Sequence, residues 1–314
     1  MQVLPTFVIL LIVTCLVGCN ARPSAEAKAP PFESAALDSF PSVLVNGEAM
    51  HYVERGSGTP VILIHGAIGD LNAWALQLDA LAEEHRVIAL SRRYAWPNQQ
   101  PADIGDMDCT VALHARDLVN FMQELNLPAA HLVGHSYGAM VALRTAIDRP
   151  ELVRSLVLGE PVVETIISGT ARGDSLTADF RDQFDVALAH YRAGDPEATV
   201  RQFLKSVLGS DEVYGLVPQE VRDGWHQNLI EGICIAKTGD FNSLAREELA
   251  AIEIPSLVIT GEYSPDLMRT VSDSLRAVLP RSELRELPRA SHGLQGENPA
   301  EFNRLVLDFW GKME

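Results

Sequence analysis

The chain is 314 residues long, with 47% apolar and 21% charged side chains, a globular composition that excludes a mostly disordered polymer. Its 25 Lys and Arg against 42 Asp and Glu leave a formal net charge of −17, which repels phosphate backbones and excludes ordinary nucleic-acid binding. Four cysteines without a CxxC, and nine histidines without an HExxH, exclude a disulfide-built scaffold and give no reason to invoke a metal or organic cofactor.

The first predicted element is an address. Phe7 to Gly18 is a run of twelve mostly apolar residues, FVILLIVTCLVG. A bilayer-spanning helix needs ~20, whereas the core of a signal peptide needs ~7–15. The run ends in Leu16-Val17-Gly18-Cys19, which resembles the lipobox of bacterial lipoproteins. In that family the signal is cut before the cysteine, and the cysteine is lipidated. The leading MQVLP departs from the pattern by lacking Lys and Arg. The resemblance implies a signal peptide over residues 1–18, a lipid on Cys19 and a flexible tether over 19–41, rich in Ala, Pro and Ser. It places the protein in a bacterial cell envelope, periplasmic or on the outer surface, with a membrane as a partner through the lipid. An ordinary secretory signal or an uncleaved anchor remains the alternative.

From Ser42 to Glu314 strands and helices alternate. Val43 to Glu54 predicts a hairpin about the turn dipeptide Asn46-Gly47. The wholly apolar Val61–Ile64 predicts a strand buried on both faces. A helix over Asn72–Glu84 carries Trp74, Leu78 and Leu81 on one side. Strand Arg86–Leu90, helix Val111–Leu125, strand His131–Val133, helix Ala139–Ile147 and strand Leu156–Leu158 follow. Between 161 and 252 the alternation stops, and helical, polar sequence reads as an inserted cap with breaks at Gly194-Asp195-Pro196 and Val217-Pro218. Strand Leu257–Ile259, helix Leu267–Val278, strand Leu284–Leu287 and helix Phe302–Trp310 complete the chain. Such alternation predicts an open, mostly parallel sheet with helices on both faces. Cys109 and Cys234 would remain in the mature chain, and their pairing stays open at this level.

Gly134-His135-Ser136-Tyr137-Gly138 falls between a strand and a helix, the context in which G-x-S-x-G makes a nucleophile elbow. A tight-turn serine that only caps its helix is the bland alternative. His65-Gly66-Ala67 ends the third strand, and Ala290-Ser291-His292-Gly293 follows the last one. With these motifs the chain resembles the α/β-hydrolase fold superfamily over Val43 to Trp310, in its serine-hydrolase branch with a helical cap. The resemblance implies an eight-stranded, mostly parallel sheet. It makes Ser136 the nucleophile and His292 the base, with the Ala67 and Tyr137 N–H groups as oxyanion-hole donors. His65 and His135, inside the motifs, read as struts for loop backbone.

The acid departs from the family's usual place, an Asp three residues after the glycine that ends the seventh strand. Here Gly261-Glu262-Tyr263-Ser264 puts a serine there. Some branches, haloalkane dehalogenases among them, carry the acid after the sixth strand, where this chain has Glu160. Glu160 is therefore the expected acid, Asp266 the alternative and Glu262 a weaker one.

Flanking residues Ile68, Trp74, Tyr137, Val162 and Leu294 form the expected substrate pocket, with plain core packing as the competing reading for Trp74. The cap aromatics Phe180, Phe184, Tyr191, Phe203 and Trp225 read as the cap's own core. A serine nucleophile implies an acyl-enzyme, hence ester, thioester, lactone or amide substrates, and an apolar, capped pocket suits small esters or lactones among them. A non-catalytic ligand-binding protein, or a C–C bond hydrolase or perhydrolase of the same fold, is the alternative. Oligomeric state is not legible.

Overall fold

The structure, a computed structural model, describes residues 40–313, so the expected signal peptide, Cys19 and the tether up to residue 39 lie outside the described residues. Phe40 and Pro41, at the end of the expected tether, pack on the body. The Phe40 ring meets Trp96 edge-on at 5.4 Å, and Pro41 O accepts from Tyr52 N–H at 3.0 Å.

Eight strands form one sheet: β1 (Ser42–Val45), β2 (Glu48–Arg55), β3 (Thr59–Ile64), β4 (His85–Leu90), β5 (Ala130–His135), β6 (Val153–Gly159), β7 (Ser256–Gly261) and β8 (Ser282–Leu287). Their order is β1-β2-β4-β3-β5-β6-β7-β8. β2 pairs antiparallel with β1 and β4, and every other pairing is parallel. The hairpin turn has Asn46 at φ +49° and Gly47 at φ +87°, two left-handed residues as a type I′ turn requires.

The helices of the body are α1 (Ala75–Leu81), α2 (Val111–Glu124) and α3 (Tyr137–Asp148). Those between β6 and β7 are α4 (Ala171–Arg192), α5 (Pro196–Leu208), α6 (Val213–Leu216), α7 (Gln219–Gln227), α8 (Leu229–Thr238) and α9 (Arg246–Ala250). The last are α10 (Asp266–Val278), α11 (Leu294–Glu297) and α12 (Pro299–Trp310). Among the described residues no helix is long and apolar enough to cross a membrane.

Alternation along the strands builds two cores. Ile62, Ile64, Leu132, Leu156 and Val258 join α2, α3 and α10 on one face. Val61, Leu63, Val133, Val157 and Leu257 join α1 and α12 on the other. In the cap, Asp195 accepts from Ala198 N–H at 2.9 Å and Pro196 opens α5, so the break read at this point is a capped helix start. Phe180, Phe184, Phe203 and Phe241 pack together at centroid separations of 4.5–5.8 Å, and they continue the core of the α2/α3 face rather than forming a separate one of the cap's own. Cys109 and Cys234 are joined by a disulfide across 125 residues, tying the segment before α2 to cap helix α8.

β3 has β4 on one side and β5 on the other, so chain direction across the sheet reverses there. Open α/β sheets bind ligands at such a switch point, beyond the carboxyl ends of the strands. The loops after β3 and β5 meet at that place.

Candidate active site

Ser136 alone makes the turn from β5 to α3. Its φ of +53° and ψ of −119° lie outside the ordinary regions for a side-chain-bearing residue, a strain that surrounding contacts must hold. Those contacts need both flanking glycines. A Cβ on Gly134 would sit 2.5 Å from Ala139 Cα, and one on Gly138 would sit 2.2 Å from Ile64 O. The serine stands at the N-terminus of α3, where the helix dipole favours developing negative charge.

Strand register brings the other groups in. His135 pairs with Gly159, so the next residues, Ser136 and Glu160, leave adjacent strands side by side. Gly159 pairs with Ile259, which sets Glu160 beside Thr260. His292 Nε2 lies 3.0 Å from Ser136 Oγ, and His292 Nδ1 lies 2.7 Å from Glu160 Oε2. Because the carboxylate only accepts, Nδ1 carries the proton and Nε2 is the bare acceptor facing the serine hydroxyl. Glu160 Oε1 accepts from Thr260 Oγ1 at 2.7 Å and from Gly261 N–H at 2.9 Å.

Glu160 is fully buried. Burial pushes its pKa up, and this is the largest single influence. The hydrogen bond of His292 and the positive charge its ring carries when protonated, with help from Ser264 and Thr260, outweigh it and hold the carboxyl below its ordinary value. Ser264 contributes by proximity, since its buried hydroxyl closes no hydrogen bond of normal geometry. Thus Ser264, in the usual place of the acid, lies near the carboxylate that β6 supplies.

The structure separates the other candidates from His292. Asp266 is exposed and bonds Arg172 at 3.0 Å, which corrects its reading as an alternative acid. Glu262 accepts from Arg289 N–H at 2.8 Å. Two expected pocket residues are also corrected. Trp74 and Leu294 belong to the core on the α1/α12 face, with Trp74 beside Phe302 at 6.1 Å. A helix's apolar stripe says that it packs, not on which face of the sheet. Ile68 and Val162 are buried in the core on the α2/α3 face, which also includes the cap.

The loop after β3 presses on the serine, since a Cβ on Gly66 would come within 3.2 Å of Ser136 Cβ. The N–H groups of Ala67 and Tyr137 have no acceptor among the described residues. Ile68 holds the loop in a left-handed conformation, φ +51°. His65 Nδ1 donates to Gly66 O at 2.8 Å and its Nε2 accepts from Arg92 N–H at 3.0 Å. His135 Nε2 donates to His292 O at 2.7 Å. Burial pushes His135 down to about 3 and His65 well below its ordinary value, so both are neutral struts at neutral pH. Among the described residues no group of three or more His, Cys, Asp or Glu is gathered to hold a metal. A surface cleft of about 770 Å³ beside α2 contains none of these residues.

Sequence reasoning missed one pair at the site. Arg92, two residues beyond β4, and Glu231 on α8 form a buried ion pair at 2.8 Å, 139 residues apart. Nothing in the sequence distinguishes these charges from solvated ones.

Fold and site together define a hydrolase. A family profile for the alpha/beta hydrolase fold matches residues 59–299, and the chain belongs to that family. It is 28% identical to a protein of Azorhizobium caulinodans named carbamate hydrolase RutD, over 84% of this chain and 96% of that one. A protein of the same name from Variovorax paradoxus is 31% identical over 84% of this chain and 97% of its own length. Among solved structures, the enol-lactonase of Burkholderia xenovorans superposes with a TM-score of 0.70 at 21% identity, covering 86% of this chain and all of that one.

Proposed function

We propose that this protein is a serine hydrolase that opens small uncharged carboxylic esters or lactones through an acyl-enzyme, with Ser136, His292 and Glu160 as its triad. The carrying observation is the unbroken line from Ser136 Oγ through His292 to the buried Glu160, beside two unengaged N–H groups. In this reading Ser136 Oγ attacks the carbonyl carbon as its proton passes to His292 Nε2. The carbonyl oxygen becomes an oxyanion held by the Ala67 and Tyr137 N–H groups, each donor worth ~3 kcal/mol in the transition state. His292 then gives its proton to the departing alkoxide, and the acyl–serine ester remains. Water, deprotonated by the same imidazole, attacks that ester and releases the acid, with the proton returning to Ser136. In a lactone the leaving alcohol stays attached to the acyl group. Relatives named for carbamates support a carbonyl bonded to a heteroatom as the reacting centre.

The test is intact mass after exposure to a fluorophosphonate. Wild type should gain one adduct and Ser136→Ala none, with ester turnover in the variant lower by about 10⁴-fold or more. A folded wild type that takes no adduct would overturn the reading in favour of a binding protein.

We also propose that the protein is a lipid-anchored envelope protein, on the lipobox-like Leu16-Val17-Gly18-Cys19. A disulfide is at home in an oxidising compartment, which supports this. Cys19→Ser in the full chain should abolish incorporation of labelled fatty acid. Undiminished label would sink the anchor reading.

A further inference from the structure

The oxyanion loop is held from the cap. Arg92 donates through Nε and Nη2 to the two oxygens of Glu231, at 3.1 and 2.8 Å. The same guanidinium donates through Nη1 to His65 O, and through Nη2 to Gly66 O at 3.3 Å. Its carbon lies 5.2 Å over the ring of Tyr137, whose backbone N–H is the second expected donor. The helix bearing Glu231 rests directly on the loop. A Cβ on Gly232 would fall 2.3 Å from Ile68 Cγ2, so the closeness requires the glycine.

The consequence follows from peptide geometry. In a planar trans peptide the C=O and the next N–H point in opposite directions. Gly66 O and Ala67 N–H belong to one such plane. Arg92 and His65 grip the oxygen side, at 3.3 and 2.8 Å, which aims the N–H side away from them. A buried ion pair is a weak source of stability compared with apolar packing, so its presence at this spot calls for another account. Arginine's planar fork suits it, because one group reaches a carboxylate and two carbonyls together.

We propose that Glu231 and Arg92 are positioning residues that aim the Ala67 N–H at the developing oxyanion, so that seating of cap helix α8 and oxyanion stabilisation are one event. This rests on the acyl-enzyme reading above. Glu231 acts through Arg92, and Arg92 through the Gly66–Ala67 peptide.

The test compares wild type with Glu231→Gln and Arg92→Lys. It measures kcat and KM on p-nitrophenyl acetate and the rate at which a fluorophosphonate captures Ser136. It also measures inhibition by a trifluoromethyl ketone, which forms a tetrahedral oxyanion, and by the matching methyl ketone, which stays a carbonyl. Misaimed catalytic groups cost up to about 100-fold, so kcat and capture rate should fall roughly 10- to 100-fold with KM within about twofold. Trifluoromethyl ketone affinity should fall by the same factor, and methyl ketone affinity should hold. Folded variants with unchanged kcat overturn the proposal, as does equal weakening of both ketones. Failure of both variants to fold also overturns it, because the pair is then structural. A wild type that neither turns over ester nor takes the fluorophosphonate removes the acyl-enzyme reading, and this proposal with it. Turnover that the variants leave untouched removes this proposal alone.

Discussion

Glu160→Gln lowers kcat by about 10⁴-fold while leaving the fold intact, the scale seen when a triad carboxylate becomes an amide. The size follows from which end of the amide faces His292. Thr260 Oγ1 and Gly261 N–H both donate to Glu160 Oε1. They select the amide oxygen for that side, and the amide nitrogen then faces His292 Nδ1, where Oε2 stands 2.7 Å away. An NH₂ there can only donate, so the imidazole must move its proton from Nδ1 to Nε2. Nε2 then carries a hydrogen toward Ser136 Oγ and cannot take one. Loss of the buried negative charge also removes the counterion for the imidazolium formed during attack. Asp266→Asn, at an exposed partner of Arg172, stays within about twofold of wild type. The check is kcat on an ester for both variants, with urea midpoints to show that each is folded. A silent Glu160→Gln beside a crippled Asp266→Asn would refute the acid assignment.

What the sequence made legible was local or steric. Asn46-Gly47 set the hairpin because its turn demands two left-handed residues. G-x-S-x-G marked the elbow because a Cβ at position 134 or 138 collides with backbone. Glu160 could be chosen because Ser264 vacates the usual place of the acid, and strand register then carries the chosen residue to Ser136. What stayed hidden depends on how distant segments meet. Trp74 and Leu294 are apolar neighbours of motif residues in sequence, yet they turn to the core on the α1/α12 face. Arg92 and Glu231 look like any other charges until a cap helix, 139 residues away, closes over the loop. Phe40 sits in a stretch whose average composition reads as tether, yet its ring packs on Trp96 and the carbonyl of the next residue accepts from Tyr52.

The Cys109–Cys234 pairing is hidden in the sequence for the same reason, and its removal is the other large effect expected. The bridge closes a loop of 125 residues that includes β5, α3, β6 and most of the cap. Chain-entropy reasoning gives ~4.7 kcal/mol for a loop near 100 residues, while measured values run from about 0 to 5. Both sulfurs are buried, so a serine pair adds the burden of hydroxyls in an apolar site. The double variant Cys109→Ser/Cys234→Ser should therefore lose about 3–5 kcal/mol in urea unfolding. Reduction alone leaves apolar thiols in place and should give the smaller loss of the two. The local wiring gives the loss a direction. Tyr137 donates its hydroxyl to Cys109 O, and α8 carries Cys234 next to Gly232 and Glu231. Loosening the bridge frees the cap helix and the ring of an expected oxyanion donor together. Fluorophosphonate capture should thus slow at urea concentrations where the double variant is still folded. Unfolding midpoints equal to wild type would show that cap packing alone carries this stability.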